Sequence, residues 1–185
     1  PENLKVFAEN ELIEIMFITP DYKVFMKTFF TMNKYRDVPV ISADDDCIYT
    51  CNYAQMLYDE WKKNKDCVIS NDGHFGGVFG KYTVSRGQNT LFTYTIMERA
   101  IKQLKWIFKN DPKTKDMLIK HPEDDAYNSA FYYLNNIKVR FLNKKPFYVY
   151  RDKAANNETA LHNRIQYKQQ ASCSWFEEIL KNLPL

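Results

Sequence analysis

Three consecutive aspartates, Asp44, Asp45 and Asp46, stand at the end of the apolar run 38–43 (VPVISA). Adjacent carboxylates repel one another, and none enters a core cheaply. At the carboxyl end of a strand in an open α/β sheet they point into the crevice where such folds bind ligands. A hard divalent cation removes the repulsion, and Mg²⁺ or Mn²⁺ takes one or two carboxylates together with phosphate oxygens. The chemistry therefore suggests a metal bridging the protein to a diphosphate. The competing reading is a solvated acidic turn that caps the next helix. A second acidic group, Glu123-Asp124-Asp125, follows His121-Pro122 and opens a helical pattern. Acidic residues are favoured in any first helical turn, where they meet the positive end of the helix dipole.

Other chemistry-bearing residues carry weaker signals. His162 lies in a polar stretch, 151–163, and a lone histidine is more often a surface or hydrogen-bonded residue than a ligand. His74 sits among glycines and His121 precedes a proline. The segment 73–80 lacks both the G-x-G-x-x-G spacing and a P-loop Lys-Ser/Thr pair, so tight turns explain its glycines. Cys47, Cys51, Cys67 and Cys173 match no zinc template. Buried, reduced thiols are expected, and with them a cytoplasmic compartment.

The elements that must position these groups follow from periodicity. Residues 12–19 (LIEIMFIT), 38–43 and 67–70 (CVIS) read as strands. Helices are expected over 23–35, 53–64 with Asn52 as cap, 95–108, 123–135 and 174–182. A hairpin is expected at 78–84, and short strands at 138–142 and 147–150. Strands alternating with helices predict one α/β layered domain over residues 1–185, with a mostly parallel sheet flanked by helices.

At 185 residues the chain is long enough to bury a sizeable core. An aromatic share of 16% suits either a dense core or stacking on flat ligands, and the core is the default. The net charge of +3 is spread along the chain, so nothing points to nucleic acid. A mildly basic surface would help approach to anionic lipid or substrate. No continuous apolar span long enough to cross a membrane is visible.

The stretch 21–70, through its core Asp44-Asp45-Asp46-x-x-Tyr49, resembles the central segment of bacterial GT-A type glycosyltransferases of capsule and lipopolysaccharide synthesis. The resemblance implies a GT-A-like, Rossmann-like fold. It also implies transfer of a sugar from a UDP- or GDP-sugar to a glycan or lipid-linked acceptor, with Mn²⁺ or Mg²⁺ as cofactor. Asp44 would sit near the nucleotide ribose, Asp46 would bind the metal between the phosphates, and Asp45 would help hold the donor sugar or the metal. His162 would complete the metal site, as a C-terminal histidine does in some GT-A families. Inverting members carry an acidic motif at a helix start below the sugar. Asp124 is thus the first choice for the base that takes the acceptor proton, and Asp125 the second, with Glu123 left to the helix dipole. The family opens with a strand-helix-strand unit ahead of the metal motif, whereas one strand and one helix precede Asp44 here. That unit is expected either to lie upstream or to be missing. Inversion by direct displacement is expected, at the cytoplasmic face of a membrane or free in the cytoplasm. The alternatives are a metal-dependent phosphohydrolase or nuclease, and an inactive glycan- or partner-binding domain.

Overall fold

The computed structural model describes residues 13–16, 26–44, 47–71, 73–75, 81–85, 90–120, 123–142, 150–151 and 169–183. In chain order its elements are α1 (Met26–Lys34), β1 (Val40–Ile41), β2 (Cys47–Ile48), α2 (Tyr53–Lys63), β3 (Cys67–Ser70), β4 (Gly73–Phe75) and β5 (Thr83–Ser85). There follow β6 (Thr90–Phe92), α3 (Tyr94–Asn110), α4 (Pro112–Lys120), α5 (Asp124–Leu134), β7 (Lys138–Phe141), β8 (Tyr150–Arg151) and α6 (Gln169–Lys181).

The fold is mixed α/β, and the expected mostly parallel sheet is corrected. The central sheet has the order β1-β6-β3-β7. β6 is antiparallel to both β1 and β3, and only β3 and β7 pair in parallel. One inserted strand thus reverses two of the three contacts. β1 and β3 nevertheless share a direction, because both oppose β6, and β7 shares it through β3. Their carboxyl ends meet at one edge of the sheet.

The register sorts side chains onto two faces. Val40, Phe92, Val68 and Val139 form one row across the four strands. That row belongs to the larger core cluster, with Met97, Leu104, Tyr127 and Phe176. Ile41, Leu91 and Ile69 turn to the other face, against Tyr53 and Leu57 of α2. Burial on both faces explains why these strands read as continuous apolar runs rather than alternating ones. Val68, Ile69 and Leu91 are fully buried, and each such aliphatic side chain contributes about 1.5–3 kcal/mol relative to exposure. The aromatic residues serve the core, as expected, with Tyr82, Phe92, Tyr127, Phe131, Tyr132 and Phe176 among the largest enclosed side chains.

α5 is the central post of the structure. Every residue from Ala126 to Tyr132 is buried. The Tyr127 hydroxyl donates to Ala100 O of α3 at 3.2 Å. Its ring meets Phe29 of α1 and Phe176 of α6 edge-on, with centroids 6.0 and 5.6 Å away. α5 ends in a left-handed turn at Asn136, φ 52°. There Ile137 N–H donates to Tyr132 O at 2.9 Å and Asn136 N–H to Tyr133 O at 3.4 Å, the pattern of a Schellman stop. Asparagine tolerates that backbone region better than most residues. The turn folds β7 back along α5, so the helix N-terminus lies toward the carboxyl edge of the strands.

Several local expectations shift. β3 falls on 67–70 as expected, and α1, α2, α3 and α5 lie within a few residues of their expected ranges. Residues 13–16 are partly exposed and join no strand, and the rest of 12–19 lies outside the described residues. The hairpin pairs β4 with β5, Gly73 opposite Ser85, so His74 belongs to a strand rather than a loop. Pro112 begins α4, a helix not among those expected, because proline is tolerated at a first helical position. Cys67 and Cys173 are buried free thiols, but Cys51 is exposed, against the expectation for all four. No helix among the described residues is long and apolar enough to cross a membrane.

Candidate functional site

At the carboxyl edge the apolar row of the sheet gives way to hydroxyls. Ser42 N–H continues the β1–β6 register by donating to Thr90 O at 3.0 Å. Ser42 Oγ also donates to Thr90 O, at 3.3 Å. Thr90 Oγ1 and Ser70 Oγ lie 3.0 Å apart. Two residues beyond Val40, Phe92 and Val68 in register, these side chains occupy the same face, the one that carries the larger core cluster. All three residues are buried. This polar floor was not legible from sequence, where three separated Ser and Thr residues carry no pattern.

Asp44 stands two residues past Ser42, and a short chain of contacts holds it. Its backbone N–H donates to the Tyr49 hydroxyl at 2.6 Å. The Tyr49 ring lies 4.5 Å from that of Tyr53, whose hydroxyl donates to Ser42 O at 2.6 Å. The tyrosine of the Asp44-to-Tyr49 motif therefore has a structural role, tying the turn after β1 to the start of α2. The Asp44 carboxylate meets Lys27 of α1, with Nζ 2.5 Å from Oδ1.

Asp124 and Asp125 open α5, as expected. Asp125 N–H donates to Asp124 Oδ1 at 3.1 Å, and Ser129 Oγ donates to Asp125 O at 2.5 Å. Glu123 takes the N-cap position without a side-chain cap bond. Asp124 keeps some exposed surface while packed protein surrounds it. Burial pushes its carboxyl above the usual carboxylate range; the Lys27 charge pulls it back and the Asp44 charge raises it again. Lys27 answers to the same groups. Burial alone would lower its ammonium, but the hydrogen bond to Asp44 and the charges of Asp124, Asp44 and Asp125 outweigh that and raise it. On the far side, burial pushes the Cys173 thiol of α6 up to about 12, with Glu123 and Asp125 adding to the effect. The two aspartates thus divide. Asp124 is coupled to Lys27 and Asp44, and Asp125 reaches toward α6 as well.

The structure thus brings Asp124, from a distant part of the sequence, within electrostatic reach of the Asp44–Lys27 ion pair. Lys27 escaped the sequence reading because a lysine on an amphipathic helix normally faces solvent. Asp45, Asp46 and His162 lie outside the described residues. Among the described residues no group of three His, Cys, Asp or Glu side chains gathers to hold a metal. The hard oxygen donors suit Mg²⁺ or Mn²⁺, but the described part of the trio, Asp44, is engaged with Lys27. The described residues alone do not form a metal centre.

Compared with known proteins, the chain matches no family model, no curated protein and no solved structure.

Proposed function

We propose that the chain transfers a sugar from a nucleotide diphospho-sugar to a hydroxyl of a glycan or lipid-linked acceptor, with inversion. The observation that carries this reading is the Asp44–Lys27 ion pair at the carboxyl edge of three co-directional strands, with Asp124 within electrostatic reach of both. That edge is where open α/β sheets bind ligands. A carboxylate whose proton affinity is raised by burial suits the acceptance of a proton.

In the proposed reaction the acceptor hydroxyl oxygen attacks the anomeric carbon. The bond from that carbon to the diphosphate oxygen breaks, and its electron pair leaves with the nucleoside diphosphate. The hydroxyl proton passes to the Asp124 carboxylate, with Asp125 the second candidate. A base of this kind contributes typically about 10²–10⁴-fold. Lys27 favours ionised Asp124 against its burial and pairs with the Asp44 carboxylate, which together with Asp45 would face the donor. A bound Mn²⁺ or Mg²⁺, held by Asp46 with Asp44 and His162, would supply charge to offset that growing on the diphosphate.

A phosphohydrolase would need two metal ions shared by both acidic groups. Lys27 already pairs with Asp44 and acts by its charge on Asp124, which disfavours that alternative. The test is thermal stability with Mn²⁺ and a panel of nucleotide sugars. Stabilisation by a UDP- or GDP-sugar that requires metal and disappears in Asp46→Ala is expected. Metal binding without any nucleotide effect would favour the hydrolase, and no response to either would favour a binding domain.

A further inference from the structure

We propose that a second site, a groove between the α3–α4 junction and α6, binds a neutral oligosaccharide. The groove encloses about 390 Å³ and is lined by Trp106, Asp111, Thr114, Trp175, Glu178 and Asn182, with two aliphatic side chains completing the wall. That volume falls within the range of small-molecule sites, roughly 300–1,000 Å³. It shares no lining residue with the Asp44–Lys27–Asp124 cluster.

The wall presents two indoles and several acceptors. Trp106 and Trp175 are half-buried, packed on the main core. Trp175 is further set by Phe176, ring centroids 4.7 Å apart at 53°. Neither indole N–H has an acceptor among the described residues. Asp111 is held in place by Thr114 N–H, which donates to its Oδ1 at 3.0 Å, and its carboxyl is kept below the usual range by Thr114. Glu178 is exposed, and Asn182 Nδ2 donates to Glu178 O at 2.9 Å, which leaves the Asn182 amide oxygen as an acceptor.

A ligand that satisfies this wall must offer flat apolar faces, donors for the carboxylates and amide oxygen, and acceptors for the two indole N–H groups. Pyranose rings offer all three, since their C–H faces lie on aromatic rings and each hydroxyl both donates and accepts. A quaternary ammonium would suit the rings and carboxylates but gives the indole donors nothing to bond. The groove stands independently of the proposed transfer; if that reading holds, it would grip the acceptor chain away from its reacting end.

The test is calorimetric titration with cellohexaose, maltohexaose and chitohexaose, in EDTA and without nucleotide, so that neither metal nor donor is involved. Saturable binding of at least one is expected. Glu178→Ala, an exposed change that leaves packing intact, and Trp175→Ala should each weaken it about tenfold or more, while Asp124→Asn leaves it unchanged. No saturable binding of any of the three would overturn the proposal. So would binding that survives both groove substitutions, or binding of choline in place of the sugars.

Discussion

Two carboxylates, one on α6 and one at the head of α5, show how partners, rather than burial alone, set the character of an acid. Glu177 of α6 is only 5% exposed, and burial pushes its carboxyl up. The Lys181 ammonium, the Tyr82 hydroxyl at 2.5 Å and the Lys81 ammonium at 2.9 Å outweigh that and hold it down to about 2. Lys81 in turn lies over the Tyr133 ring, 4.2 Å from its centroid. This clamp ties the chain at β5 to the C-terminal helix. Asp124, at the head of α5, shares with Asp44 one cation among the described residues, Lys27, and its carboxyl is pushed up. A fully satisfied carboxylate is inert and structural. A partly satisfied one is costly to keep, and it is the kind whose affinity for a proton is raised.

The largest expected difference is in turnover. Asp124→Asn should lower sugar transfer by about 10²–10⁴-fold without lowering stability at pH 7, measured by urea unfolding. Its folded-state carboxyl is raised, so the stability it contributes is present at low pH and is lost as pH rises; removing the charge relieves that cost. A variant that transfers sugar normally would remove Asp124 from the chemistry.

A smaller effect is expected at Lys27. In Lys27→Met the cation that favours ionised Asp124 is gone, so the acidic limb of the pH–rate profile should move to higher pH. Proton acceptance requires the ionised form, hence the upward direction. A profile that keeps its position while activity falls would make Lys27 a contact for the donor alone.

The smallest is at the clamp. Glu177→Gln should cost about 1–2 kcal/mol at pH 7, since both lysines keep half their surface in solvent, which screens much of the gain. Because the folded-state carboxyl is depressed, this contribution is present above about 4.5 and fades as pH falls toward 2. The gap between the two proteins in unfolding experiments should close over that window. Equal stability at pH 7 would show the clamp to be ornamental.

The parts legible in the sequence were those with a local cause. Apolar spacing at helical period placed α1, α2, α3 and α5, and the run Cys-Val-Ile-Ser placed β3. Adjacent aspartates announced themselves because carboxylates resist burial. What escaped depends on distant pairing. β6 is three residues long, and its place between β1 and β3 follows from neither propensity nor period. The two-residue strands β2 and β8 set Cys47 opposite Arg151, far apart in the chain, and have no local signature. The hydroxyl row of Ser42, Thr90 and Ser70 exists only once the sheet is assembled, and Lys27 becomes informative only when two carboxylates arrive beside it.

The enclosure of α5 has a mechanical consequence. A helix gripped on all sides from Ala126 to Tyr132, and anchored through a tyrosine to three neighbours, cannot slide or rotate to suit a visitor. Its first carboxylate is a fixed anvil. Among the described residues, accommodation at that edge falls to the slender four-carbon arm of Lys27, which can swing aside while the anvil stays put.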